Sequence, residues 1–471
     1  MGAIRTAAAV VVVLIAAAAA AADCVTDVRT LSTRVSVPNL VAGPSSWNGT
    51  GLAVAKTEEG VPGAVWVGVY DESMQTLVED RRVATDARAL VALLWNGSEH
   101  GLFYTTVNDA MFLQRLSAAG EPIGARVAIT PGKTFYSGDD IDVVWSAALN
   151  AYAVGRVITQ GQFRGVWLTL VERSGAERSD RTAGVAAAIQ PALDLAVTDS
   201  GIIGMFFNNA LGSLVFARAA ATGPIEARVI SPGAQFLQAE AHRGLFVVVR
   251  NAPFDNNNKT EIRWVVVDSS QQIVRADARL VAPSGDDAWP LAMISNGEEL
   301  ALAYIDAPRR SQPVDRNLRL LRFDVDGTVI SNTFFSAATV AFSRAQSPHP
   351  FAWTGTSYLA PVVHAAPDRM NSYLLRYCPL RATIVSPTRT VRVGQNVTFS
   401  ATATGGVPGY QYSWTFPSDE VAPKRVQTFE RSFPRTGTYT VTLEVTDFAG
   451  ATTTEVITIN VVRPKTRAVR H

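Results

Sequence analysis

The chain has 471 residues, with 42 Lys and Arg against 41 Asp and Glu and a formal net charge of +1. That length suits two or more domains, each with its own core, and the balanced charge excludes a whole-chain field directed at nucleic acid or an anionic membrane. Hydrophobic residues make up 47 % of the chain, which excludes wholesale disorder and a multi-pass membrane protein.

The chain opens on Arg5 and an uninterrupted apolar run over residues 7–22, AAAVVVVLIAAAAAAA. A positive start, a short apolar stretch and the small residues Ala20-Ala21-Ala22 are the parts of a secretory signal peptide. Residues 1–22 are therefore expected to be removed, leaving an exported chain that begins near Asp23. The competing reading is an uncleaved anchor, although the run is short beside the roughly 20 apolar residues a span needs. Only two cysteines occur, Cys24 and Cys378, and an exported chain with two thiols is expected to join them. Cys24 beside the cleavage point also admits a lipid-modified N-terminus, but Asp23 stands where that signal carries Gly or Ala.

Next comes a phrase that returns. Trp47 begins WNGTGLAVAKT, Trp95 begins WNGSEHGLFYTT, Ser295 begins SNGEELALAYI and Trp353 begins WTGTSYLAPVV. Asn-Gly between apolar runs predicts a tight hairpin, both residues tolerating the positive φ of a type I′ turn. Residues 89–95 and 102–105 then read as adjacent antiparallel strands, followed by a third at 111–116, a turn at 117–121 and a fourth at 125–129. The pattern recurs in units centred near Trp47, Trp95, Leu149, Ser200, Arg243, Asn296 and Thr354, a spacing of roughly 40 to 60 residues. Seven units are expected, the weaker fourth and fifth leaving six or eight open.

Helical periodicity is almost absent beyond residue 22. Short strands with regular turns and so long a period predict an all-β chain of blades around an axis. The units resemble the WNG-type propeller repeats of bacterial secreted proteins, over residues 25–380. The last unit stops after a third strand at 372–378, while a stray strand at 28–37 precedes the first. Pairing of these two would close the ring and remove an exposed edge, setting Cys24 beside Cys378. Such a bridge spans roughly 350 residues and is worth at most about 5 to 6 kcal/mol on the chain-entropy model.

Residues 381–463 change texture, with a clear alternation at 438–446, TYTVTLEVT. About 80 residues of such strands predict an immunoglobulin-like sandwich. VRVGQNVTFSATA, GGVPGYQYSWTF and FPRTGTYTVTLEVTDFAG resemble a PKD domain, with Trp414 and Tyr439 where that family places core aromatics. Pro417-Ser418-Asp419 replaces the family's Gly-Asp-Gly. The resemblance implies a spacer or an accessory binder of polysaccharide or protein. Residues 464–471 are a basic tail, expected to be solvated and disordered.

Chemistry is sparse. The tight turns fall at one end of each blade and the long connections at the other, at 250–261, 304–317 and 363–371, where recognition is expected. Ser-Gly-Asp-Asp occurs twice before an innermost strand, placing Asp139, Asp140, Asp286 and Asp287 near the channel mouth. There they could bind sugar hydroxyls or a hard cation such as calcium, or serve only as turn residues. Arg309, Arg310, His364, Asp368 and Arg369 complete the candidate ligand-binding set. The five histidines show no zinc spacing, and no nucleophile elbow, phosphate loop or intact sialidase box occurs. No cofactor, metal or nucleic-acid partner is expected. The reading is a secreted, periplasmic or cell-surface protein that binds a polysaccharide or envelope protein without catalysis. The alternative is a glycan hydrolase or lyase working at the channel mouth.

Overall fold

The computed structural model describes residues 27–30, 40–58, 63–129, 140–158, 165–184, 192–233, 236–253, 259–282, 287–307, 317–336, 351–365, 370–386, 388–416, 424–448 and 450–463. Among them every regular element is a β-strand. The chain divides into two compact units, Val28–Arg376 and one containing Tyr377–His471.

In the first unit the strands sort into seven four-stranded antiparallel blades. Blades 3 to 6 are separate sheets, each with its first strand innermost: Asp140–Ser146, Asp194–Val197, Leu237–His242 and Asp287–Ser295. Blades 1 and 2 are fused through the 20-residue strand Thr76–Trp95, which is outermost in one and innermost in the other. Blade 7 takes Ala352–Trp353, Tyr358–Ala365 and Met370–Tyr377 from the end of the unit, and its fourth strand, Asp27–Thr30, from the beginning. The ring closes where the sequence pattern places the closure; residues 31–37 of the expected strand lie outside the described residues. Innermost strands stand side by side in order from blade 1 to blade 6, and blade 7 lies against blade 1.

The core is a ring of interfaces. Val65, Val67 and Val69 of blade 1 pack with Leu93, Leu102 and Tyr104 of blade 2. Comparable clusters fill the joints between blades 2 and 3, 3 and 4, 4 and 5, 5 and 6, and 7 and 1. A blade thus buries both faces, which accounts for near-continuous apolar strands such as Leu245–Pro253 and.

The recurrent phrase builds a different turn from the one expected. Only glycine takes positive φ, Gly97 at 93° and Gly297 at 89°, while Asn96 and Asn296 do not. The loop has four residues, Trp95 pairing with His100 and Ser295 with Leu300. The asparagine side chain caps it: Asn96 Oδ1 accepts from the Ser98 and Glu99 N–H groups at 3.1 Å each, and Asn296 Oδ1 from those of Glu298 and Glu299 at 2.8 Å. Thr354 caps through its hydroxyl in blade 7. A true two-residue hairpin with both φ positive occurs at Arg243-Gly244 in blade 5, one of the two units whose sequence pattern is weakest.

The second end of that asparagine reaches the next blade. Asn96 Nδ2 donates to Tyr152 Oη and Asn296 Nδ2 to Tyr358 Oη, both at 2.9 Å. In the same turns Glu99 takes two bonds from Arg115, and Glu299 two from Arg322, all at 2.7 Å. Such paired geometry suits the planar guanidinium. At the ring's seam, Glu72 of blade 1 accepts from the Thr354 and Ser357 hydroxyls of blade 7 at 2.6 and 2.9 Å, and the Ala42 N–H donates to Ser372 Oγ at 2.9 Å. The turns between third and fourth strands also press on the preceding blade. A Cβ at Gly327 would sit 2.4 Å from Trp264, so glycine is needed there for contact as well as for φ.

The second unit is a two-sheet sandwich. Arg381–Val385, Asn396–Thr404 and Thr428–Ser432 form one sheet; Thr390–Arg392, Thr452–Val462, Gly437–Thr446 and Gln411–Thr415 form the other. Thr390–Arg392 runs parallel to its partner, the remaining pairs antiparallel. Trp414 is fully buried, its indole N–H donating to the Val426 carbonyl at 2.8 Å, and Tyr439 packs against buried Phe433 with ring centres 4.7 Å apart and planes tilted by 47°. Pro417-Ser418-Asp419 and residues 464–471 lie outside the described residues.

Candidate functional site

An innermost propeller strand has one unpaired edge, whose N–H groups need acceptors. In blades 4 and 5 aspartates of the preceding blade supply them. Asp140 Oδ2 and Asp142 Oδ2 accept from Leu193 and Leu195 at 3.3 and 2.7 Å; Asp194 Oδ2 accepts from Ala239 at 2.7 Å. Asp142 and Asp194 are both buried, and their side chains hydrogen-bond each other. Burial first, and the Asp142 charge second, hold Asp194 well above the usual carboxylate range. Glu240, on the innermost strand of blade 5, is pushed up to about 8 by burial, with only the Ala241 N–H opposing. Two successive inner strands therefore present carboxyl groups held above the usual carboxylate range and.

Of the residues singled out in the sequence, Asp140 and Asp287 are described. Each begins an innermost strand, and each works between blades. Asp140 receives the Leu193 N–H, and Asp287, 1 % exposed, receives the Thr260 hydroxyl of blade 5 at 3.0 Å. His364 belongs to the strand Tyr358–Ala365. Asp139, Asp286, Arg309, Arg310, Asp368, Arg369 and Cys24 lie outside the described residues, and Cys378 is buried. No cluster of three or more His, Cys, Asp or Glu suited to a metal occurs among the described residues.

The strand ends beneath two of the long connections carry ion pairs that sequence reading missed. Arg250, 2 % exposed at its side chain, meets Asp277 at 2.8 Å; Arg263 joins Asp277 and Glu261 at 2.8 and 2.7 Å; Arg279 meets Glu261 at 2.6 Å. This ladder spans three strands of blade 5 at the end that carries residues 254–259. In blade 6, Arg319 meets Asp306 at 2.9 Å, at the base of the connection holding Arg309 and Arg310. The signal was there: Glu261, Arg263, Asp277 and Arg279 alternate along strands. It becomes legible only once the pairing of those strands is known.

Comparison with known proteins agrees with the two-part plan. Residues 382–460 match the family model of the PKD domain. The C-terminal unit is a PKD domain. No curated protein matches the chain in sequence. Among solved structures, a prolyl endopeptidase is similar over 77 % of this chain and 54 % of its own, at 11 % identity and a TM-score of 0.43. The chain thus spans about half the length of that structure. AofleA from Arthrobotrys oligospora is similar over 66 % of this chain and 89 % of its own, at 11 % identity and a TM-score of 0.39. The β-propeller domain of the Trilobed protease from Pyrococcus furiosus is similar over 59 % and 78 %, at 12 % identity and a TM-score of 0.38. No helix among the described residues is long and apolar enough to cross a membrane.

Proposed function

We propose that the propeller is an exported binding module. Its long-connection face recognises an extracellular polysaccharide or envelope protein, and the PKD domain acts as spacer or accessory binder. The observation that carries this reading is the ion ladder of blade 5 with the Asp306–Arg319 pair of blade 6. Asp277 and Glu261, each held by two arginines, and the Asp306–Arg319 pair brace the strand ends from which the 254–259 and 308–316 connections leave, and recognition loops work best on a rigid base. Arg309, Arg310, His364, Asp368 and Arg369 are the side chains proposed to touch the ligand, with Asp139 and Asp286 beside the channel mouth. Asp140 and Asp287 hold the blades beneath them.

The test is a screen of the protein without residues 1–22 against polysaccharides and cell-envelope fractions, scored for both binding and turnover. Replacing Arg309, Arg310 and Arg369 by alanine is expected to weaken binding at least about tenfold, or roughly 1.4 kcal/mol. Binding unchanged in that triple variant rejects the loop face. Turnover that disappears in Asp194→Asn would favour a hydrolase using the Asp142–Asp194 pair.

Export implies oxidation, and we propose a Cys24–Cys378 disulfide. The closing strand Asp27–Thr30 begins three residues after Cys24, and its partner Met370–Tyr377 ends one residue before Cys378. Thiol titration of the denatured, unreduced protein should find no free thiol. Two titratable thiols would remove the bridge.

A further inference from the structure

Blade 1 carries a second, separate feature. On the face it turns toward blade 7, Lys56, Trp66 and Arg82 form one cross-strand row. Two residues along each strand the row continues with Gly68 and Asp80. Gly68 has no side chain, and a Cβ there would stand 2.3 Å from Asp80 Oδ1. Asp80 takes up the place a Cβ would need and lines, with Trp66, Val78, Glu79, Arg81 and Arg82, a cleft of about 440 Å³. Four register shifts between Gly63–Tyr70 and Thr76–Trp95 re-aim the side chains around it and.

The walls are preorganised and incompletely used. Lys56 Nζ holds Asp80 Oδ1 at 2.5 Å and Tyr70 Oη at 2.5 Å from below. Asp80 Oδ2 takes no hydrogen bond among the described residues. Trp66 is half-buried, its N–H fixed on Glu58 Oε2 at 3.2 Å. The Arg82 guanidinium lies 5.8 Å from the centre of that ring and meets no carboxylate among the described residues. A fixed indole face, one unspent carboxylate oxygen and one unspent guanidinium thus converge on a single open space.

We propose that this cleft is a saccharide subsite, sized for one pyranose ring. The apolar face of a sugar ring suits the indole, and adjacent hydroxyls can donate to Asp80 Oδ2 while accepting from Arg82. Glu79 and Asp80 beside Arg81 and Arg82 leave the cleft without a dominant charge, which disfavours phosphate. A cavity of a few hundred cubic ångströms with few convergent polar groups is a small-molecule site in size and composition. The subsite is independent of the long-connection face.

The test is saturation-transfer NMR on the full chain with the methyl pyranosides of glucose, galactose, mannose and N-acetylglucosamine, and with glucuronic acid. At least one of the five should show transfer. Trp66→Ala and Arg82→Ala should each raise its dissociation constant at least about tenfold, with Trp66→Phe retaining most of the affinity and the melting temperature shifting by less than about 3 °C. Alanine at Arg309 and Arg310 should leave this transfer unchanged, which separates the subsite from the loop face. No transfer from any of the five, or transfer that survives both Trp66→Ala and Arg82→Ala, overturns the proposal.

Discussion

Alanine at position 80 is expected to cost the propeller about 3–5 kcal/mol, the loss that follows when one member of a buried ion pair is removed. Lys56 is 1 % exposed and Asp80 4 %, and the hydrogen-bond partners of Nζ among the described residues are Asp80 and Tyr70. Burial already lowers the lysine's pKa against the opposing pull of Asp80; without the carboxylate the ammonium is stranded. A folded-state pKa below the unfolded one means the unfolded chain binds the extra proton. The deficit of Asp80→Ala should therefore be largest at acid pH and shrink as pH rises toward the ordinary lysine range. Lys56→Met with Asp80→Leu should recover most of the loss, because two apolar side chains leave no uncompensated charge. Denaturant midpoints of the parent and the two variants measure this. A single Asp80→Ala within about 1 kcal/mol of the parent would mean the pair is solvated and the seam face is not sealed.

The second large effect is a loss of stability as pH rises from about 6.5 to 8. Glu240 stays protonated in the fold up to about pH 8, whereas the unfolded side chain releases its proton near its ordinary value. Between those limits the folded state binds more protons, so stability falls as pH rises from about 4.5 to 8. Asp194 acts in the same direction. His100 acts in the opposite direction; it is fully buried against Trp95 at 4.8 Å, with neither ring nitrogen hydrogen-bonded among the described residues. Burial pushes it down to about 4, so the unfolded chain takes the proton first and stability falls from about pH 6.5 to 4. At roughly 1.4 kcal/mol per pH unit this limb is about 3 kcal/mol deep. The half-buried Glu240 contributes about 2–4 kcal/mol after solvent screening. Between about pH 4.5 and 6.5 the two contributions oppose each other, so Glu240→Gln should remove the descent between about pH 6.5 and 8 and His100→Leu should extend that descent down toward pH 4.5, read from thermal midpoints between pH 4 and 9. An alkaline limb unmoved by Glu240→Gln would place that descent elsewhere.

What could be read in advance was what is local. Turn residues and two-residue alternation are neighbour effects, so the blades, the order of their strands and the PKD sandwich were visible in the linear text. The seam was visible too, because an incomplete last unit and a spare first strand complement each other. Long-range duties were hidden. Asn96 looked like a turn residue because it is one, but its bond to Tyr152 crosses 56 positions. Lys56 ends an apolar run and Asp80 sits in the charged stretch EDRR, so each reads as a solvated group until strand pairing sets them face to face. Asp140 and Asp287 were noticed for their charge; their bonds to the adjoining blade became plain only from the packing of inner strands. The fourth and fifth blades looked degraded because their first hairpins use Thr198–Ile202 and Arg243-Gly244 instead of the Asn-Gly phrase.

The origin of blade 7's outer strand has a consequence for synthesis. Asp27–Thr30 leaves the ribosome first, yet its partner Met370–Tyr377 is made some 340 residues later. Blades 1 to 6 can each assemble from neighbouring hairpins as they emerge, at little loop-closure cost. The final joint must instead bring together the two most distant segments of the domain, each carrying an open edge until then. Ring closure thus carries the largest loop-closure cost of any blade, and until it happens two open edges are available for pairing with another copy of the chain.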